Sequence, residues 1–212
     1  MANSIDIINL ALTRLGEQPI NAIDEGSEAA DVMSRVYDLS LESELRTWPW
    51  TWATTTASLA AIDSETPPDF AAVYQLPADY IKMVEIINPT TGAYYYRWEP
   101  FRRIFDRTSL EWEVREGKLY LDSATDSTGS TESTTIKYIK LQNDTTKWDS
   151  SFTDMFAWRL VAEAARTLTG RTDDVNSALS NYIRAQGIAR GTNGAETRRA
   201  TEMSRNYINV RS

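Results

Sequence analysis

The chain has no cysteine and no histidine among its 212 residues. Those two absences remove disulfides, thiolate and imidazole metal ligands, cysteine nucleophiles and every serine–histidine triad. Long hydrophobic runs are missing too: no apolar stretch approaches the roughly 20 residues a membrane helix needs. The opening "MANSIDIINLAL" lacks a basic leader and carries Asp6 where a signal peptide would be apolar, so no targeting segment is expected. Basic residues are in deficit, with 22 Lys and Arg against 30 Asp and Glu and a net charge of −8. A general nucleic-acid binder is thereby disfavoured, because cationic neutralisation of phosphate dominates that affinity. Phosphate cradles of the GxxxxGK[ST] or GxGxxG kind are also lacking.

What is present is an ordinary globular balance, 42% hydrophobic and 25% charged, in a chain long enough for one substantial core or two small lobes. The charge is uneven. From Gln186 to the end, Arg190, Arg198, Arg199, Arg205 and Arg211 face only Glu196 and Glu202, so that stretch is +3 and the remainder −11.

Ser4 is a candidate cap for a first helix with Ile5, Ile8, Leu12 and Leu15 on one side and Gly16 as its stop. Ser27 caps a longer helix striped by Met33, Val36, Tyr37, Leu41, Leu45 and Trp48, with Glu28 and Asp31 in its first turn. Pro49 disfavours helical geometry at Trp48 and ends it there.

From Thr51 to about Leu141 the texture becomes β-branched and aromatic, broken by Pro, Gly and Asn, which predicts short antiparallel strands. Candidates are residues 80–87, 93–98, 118–122 and 136–141, with "NPTTG" at 88–92 as a hairpin turn. "PPDF" and "LPAD" restrict their surroundings to loop or edge strand. Residues 122–135 hold nine Ser or Thr in 14 and are expected to form a mobile loop.

Helical periodicity returns with Phe152, Phe156, Leu160, Ala164 and Leu168, beside Met155 and Val161, ending at Gly170. Thr172 is the candidate cap of a last helix lined by Val175, Leu179, Tyr182 and Ile183, with Asp173 and Asp174 meeting its dipole. After Ile188 the pattern stops at Gly191 and Gly194. The predicted fold is α+β: an antiparallel helical bundle built from both ends of the chain (1–50 and 149–189), an inserted antiparallel β lobe (51–148), and an extended C-terminal arm (190–212).

Three features invite a functional reading. In "RTWPWTWATTT" (46–56), an extended backbone would put Trp48, Trp50 and Trp52 on one face, a stacking platform for a sugar as in a carbohydrate-binding module. The competing reading is a hinge between bundle and lobe, in which Trp48 completes the helical stripe, Pro49 breaks it, and Trp50 with Trp52 open the first strand. Glu111 and Glu113 in "EWEVREG" suit a glycosidase pair or, more simply, solvent-facing partners across Trp112. "GRTDD" and "IDEGSE" are acidic, but helix capping accounts for both, and neither has the spacing of a calcium loop. The arm is either a disordered terminus or a segment that docks on an acidic protein through its arginines, Tyr207, Ile208 and Val210.

The order of motifs resembles the tail tubular protein A and head-to-tail adaptor family of short-tailed bacteriophages. The resemblance runs from "IDIINLALTRLGEQPINAIDEGSEAADVMSRVYDLSLESELRTWPWTWATTTASLA" through "LPADYIKMVEI" to "YIKLQNDTTKWDSSFTDMFAWRLVAEAARTLTG", covering about residues 4–185 with a poor match in the middle strands. It includes a helix ending in "RLG", a "PI" segment, "DEGS" and the aromatic element Trp50, Thr51, Trp52, Ala53. It implies a non-enzymatic virion protein without cofactor or metal, made in the host cytoplasm. Such proteins form a ring of twelve copies between the portal protein and a tail nozzle similar to tail tubular protein B. Their C-terminal segment reaches the portal, here Arg190, Arg198, Arg199, Arg205, Tyr207 and Ile208. DNA passes through the ring without specific binding, and an acidic wall would let phosphate slide.

Overall fold

The computed structural model describes residues 3–62, 68–87, 112–121 and 134–196. They form four helices and two small antiparallel sheets, a mixed helix and sheet architecture. The expected strand 93–98, the turn 88–92, residues 122–133 of the Ser/Thr-rich loop, and Glu111 lie outside the described residues.

Helix α1 (Ser4–Leu15) starts one residue earlier than the serine cap predicted: Asn3 is the cap, and its side chain and that of Asp6 each accept the other's backbone N–H. Asn3 accepts well at this position, and Asp6 at N3 completes the box. Gly16 closes the helix in the left-handed region, φ 79°. Helix α2 (Glu28–Thr47) is capped by Ser27 and ends where expected, with Trp48 extended at φ −143°, ψ 147° before Pro49.

The Trp50–Trp52 segment does not open a strand. Thr51–Ala53 is a 3-10 turn, closed by the Ala53 N–H on the Trp50 carbonyl, and β1 (Thr54–Leu59) begins after it. The short edge strand β2 (Ala72–Gln75) follows, between the two proline turns, and β3 (Tyr80–Ile87) occupies its predicted range. Strands β4 (Trp112–Arg115) and β5 (Lys118–Leu121) are joined by Glu116 and Gly117, both at positive φ, the backbone a two-residue hairpin requires. Strand β6 (Thr134–Lys140) starts two residues before the sequence boundary, because Thr134 and Thr135 pair with Leu59 and Ser58.

The sheets have the orders β1-β6-β3 and β2-β5-β4. Alternation along β6 sends Ile139 toward the helices, and Ile136 and Tyr138 toward the second sheet. The first sheet therefore has apolar residues in both cores.

Helix α3 (Ser150–Thr169), capped by Asp149 and Gly170, touches α1, α2 and α4 (Thr172–Ala195). Its Phe152, Met155, Phe156, Leu160, Val161 and Ala164 are all buried, in one core with α1 and α2. Two features of α4 depart from the sequence reading. Its cap position is Arg171, without a side-chain cap bond, and Thr172 is already helical. Its buried face is Ala178, Tyr182, Ala185, Ala189 and Asn193, which leaves Leu179 and Ile183 exposed. The helix also continues through Gly191 and Gly194, past the expected end at 189. Buried Ala189 and Asn193 carry it over the two glycines: packing outweighs a propensity cost of about 1 kcal/mol per glycine.

Candidate functional site

The sequence-predicted hinge is a junction of four elements. Pro49 forces the chain out of α2, and the Trp50 N–H returns to the Trp48 carbonyl at 2.9 Å, a tight reversal. That reversal drives the Trp50 indole inward to 1% exposure, where its Nε1 donates to the carbonyl of Glu44 at 3.0 Å. Trp50 and Trp52 stack at 6.2 Å, and both meet Phe152 of α3 edge-on, at 4.9 and 4.6 Å. Trp148 closes the cluster, 6.0 Å from Trp52, with its Nε1 bonded to the Gln142 carbonyl. Such edge-to-face pairs contribute about 0.5–1.5 kcal/mol each beyond their burial.

Trp48 is half-buried and separate from this cluster. The Arg190 guanidinium lies 5.5 Å from its ring centre. The three indoles therefore do not line one exposed face, since the backbone turns at Pro49 instead of running extended.

Arg190 thus sits within α4 against Trp48 and does not begin an arm. Among the described residues its Nε has no hydrogen-bond partner. Arg198, Arg199, Arg205, Tyr207 and Ile208 lie outside the described residues. Further ties fix the junction: Asn193 of α4 donates to the Thr51 hydroxyl at 2.7 Å, and Lys82 of β3 donates to the carbonyl of Arg46 at 2.8 Å. Burial, and then the nearby Arg46 charge, hold the Lys82 ammonium below its usual pKa.

Beside the junction lies a polar node that periodicity alone did not reveal. Glu44 of α2 is fully buried, and the Tyr182 hydroxyl of α4 donates to its Oε1 at 2.6 Å. Gln186 donates to the same tyrosine oxygen at 2.5 Å. Arg159 of α3 lies 3.8 Å from Glu44 Oε1, binds Glu163 at 2.6 Å and sits over the Tyr182 ring. A buried carboxylate is costly without such partners, so this node fixes how α2, α3 and α4 meet. Burial first, then the bond to Glu44, push the Tyr182 phenol well above its ordinary pKa. The sequence does carry one signal: Glu44 falls on the stripe itself, between Leu41 and Trp48, where a carboxylate has no water to face.

The acidic motifs resolve locally. Glu25 accepts from the Asn21 and Ala22 amides and the Ser27 hydroxyl, and those bonds hold its carboxyl below the usual range. Asp174 pairs with Arg171 at 3.1 Å. Glu113 is exposed and pairs with Arg115 at 3.8 Å. Among the described residues no group of three or more acidic side chains converges as metal ligands would. No helix among them is long and apolar enough to cross a membrane. The arrangement is mechanical: aromatic packing and one buried polar node lock the helices to the first sheet. No protein-family model matches the chain, and no curated protein matches it.

Proposed function

We propose that this chain is a structural, ring-forming adaptor of a short-tailed bacteriophage, joining the portal to the tail nozzle and lining part of the DNA ejection channel. In this reading it acts without catalysis, cofactor or metal. The helices form an antiparallel bundle built from both ends of the chain, the β lobe is an insert, and the segment after Glu196 reaches the portal with Arg198, Arg199, Arg205, Tyr207 and Ile208.

The observation that carries the reading is the outward placement of large apolar side chains on helices that bracket the β segment. Leu39 of α2 is 72% exposed, and Ile183 and Ile188 of α4 are 60% and 59% exposed. Single exposed aliphatics are ordinary, but several on the helical side of one molecule suit lateral contacts between copies. The acidic body is compatible with a channel that does not retain DNA.

The test is size-exclusion chromatography with light scattering, with and without the cognate portal. The full chain should elute with the portal as a multi-copy ring, and deletion of 197–212 should abolish docking while circular dichroism stays unchanged. Normal docking by the truncated chain would remove the arm from the proposal. A chain that stays monomeric both with and without portal would sink the adaptor reading.

A further inference from the structure

We infer that the outward face of α4 in one copy receives the outward face of α2 in the next, a head-to-tail contact between copies of this chain. The inference rests on the ring reading above and adds which two surfaces meet.

Helix α4 points small and polar residues at the core and aliphatic ones at solvent. Leu179 and Ile183, 45% and 60% exposed, are one turn apart, and Gly187 continues the same line one turn further. A Cβ built on Gly187 meets nothing within 4 Å, and the same is true of Gly191 and Gly194. The surface is thus two aliphatic knobs followed by an open notch. Its charge is of one sign: between Asp174 and Glu196 the helix carries Arg184 and Arg190 and no acid. The hydrogen bond of Arg184 to Asn181 is long, 3.5 Å, which leaves that guanidinium weakly engaged.

Helix α2 offers the counterpart. Leu39 projects at 72% exposure, flanked by exposed Asp38 and Glu42, and no basic residue lies between Arg35 and Arg46. The Glu42–Arg46 pair is at the 4.0 Å limit, so Glu42 is also weakly engaged. A projecting leucine between two acids fits a notch beside two arginines in both shape and sign. The two surfaces lie on different helices, so the contact is heterologous; it propagates from copy to copy and closes into a ring if the rotation permits.

The absence of native cysteine makes disulfide trapping clean. Leu39→Cys and Ile183→Cys, each an exposed position, are prepared as separate proteins and as a double variant. They are oxidised mildly with and without the portal, with circular dichroism confirming the fold. Mixing the two single variants should yield a covalent dimer, each alone should yield none, and the double variant should yield a ladder of higher species.

Charge reversal provides a second readout. Glu42→Arg should weaken association about tenfold, and adding Arg184→Glu should restore it. Assembly of the wild type by light scattering without cross-linking between the two positions would overturn this pairing and leave the ring reading standing. Homodimers of either single variant would overturn it in favour of a two-fold contact. A wild type monomeric under every condition, portal included, would overturn both readings.

Discussion

Helices α3 and α4 are sequence neighbours separated by Gly170 and Arg171, yet they face the core in opposite ways. Helix α3 buries Phe152, Phe156, Leu160 and Met155. Helix α4 buries three alanines, Tyr182 and Asn193, and leaves Leu179, Ile183 and Ile188 in water. The first is held by apolar area and aromatic packing. The second is held by close approach of small residues to α3 and by hydrogen bonds from Tyr182 and Asn193 to Glu44 and Thr51. Apolar area is strong and undirected, whereas hydrogen bonds at two points specify position with a smaller net gain.

Truncating α3 should produce the largest effect. Phe152 touches Trp50, Trp52, Trp148 and Phe156, so Phe152→Ala should cost about 3–5 kcal/mol in urea denaturation. Trp50→Ala should fall in the same range, since its indole is buried in the same cluster. A loss under about 0.5 kcal/mol at Trp50 would mean its ring is on the surface and would revive the stacking-platform reading.

A smaller loss is expected where α4 is held by polar contacts. Tyr182→Phe keeps the ring but removes the hydroxyl from Glu44, which already has an unpartnered Oε2 among the described residues. The expected cost is about 1–3 kcal/mol, mostly from a buried carboxylate losing a donor. If the variant unfolds at the wild-type urea midpoint, the node is not what fixes α4.

The same contrast predicts an alkaline limit. Tyr37 packs edge-on against Phe156, and burial, aided by the Asp38 charge, raises its pKa from 10 to about 12; the Tyr182 phenol is raised as well. A phenol whose pKa rises on folding contributes its full stability below the unfolded value, near 10, and loses it as pH climbs through the folded one. Stability should therefore fall between pH 10 and about 12. Phenolate absorbance at 295 nm should show two native tyrosines lagging the urea-unfolded chain. Superimposable titrations would argue that both phenols are open to solvent.

How far these differences were legible in the sequence follows from what periodicity measures. The stripe of α3 was readable residue by residue, because large apolar groups recur at helical spacing and that spacing is what gets buried. The same rule misplaced α4: Leu179 and Ile183 are its most apolar residues, but Ala178, Ala185 and Ala189 permit the closer approach to α3. Hydrophobicity ranks side chains, while small ones are chosen by geometry. The hinge was legible at Pro49, whose ring restricts Trp48 locally, but the 3-10 turn at Thr51–Ala53 depends on Trp50 finding Glu44 and Phe152, contacts made across the fold. Arg190 was assigned to the arm because glycines follow it; Asn193 reaching Thr51 keeps that segment helical.

Gly187→Ala distinguishes a solvent face from a contact face on α4. The residue is helical, its φ is ordinary, and an added Cβ has open space, so the monomer should gain about 0.4–1 kcal/mol by losing unfolded-state entropy. Should the notch receive a neighbour, the same methyl group weakens assembly. Thermal unfolding and light scattering should then move in opposite directions, and a rise in melting temperature with unchanged assembly would count against the notch.

Ile183→Ser should have the smallest effect on stability. Its side chain is 60% exposed, so removing it should change monomer stability by less than about 0.5 kcal/mol. The informative control is Leu160→Ser, on the buried face of α3, where the same kind of change removes a fully buried side chain and places a hydroxyl in the core. If α4 turns its aliphatic residues outward for a neighbouring copy, Ile183→Ser should leave the urea midpoint in place while shifting the light-scattering mass toward monomer. A midpoint shift as large as that of Leu160→Ser would instead mean that Ile183 is packed inside, and the contrast between the two helices would disappear.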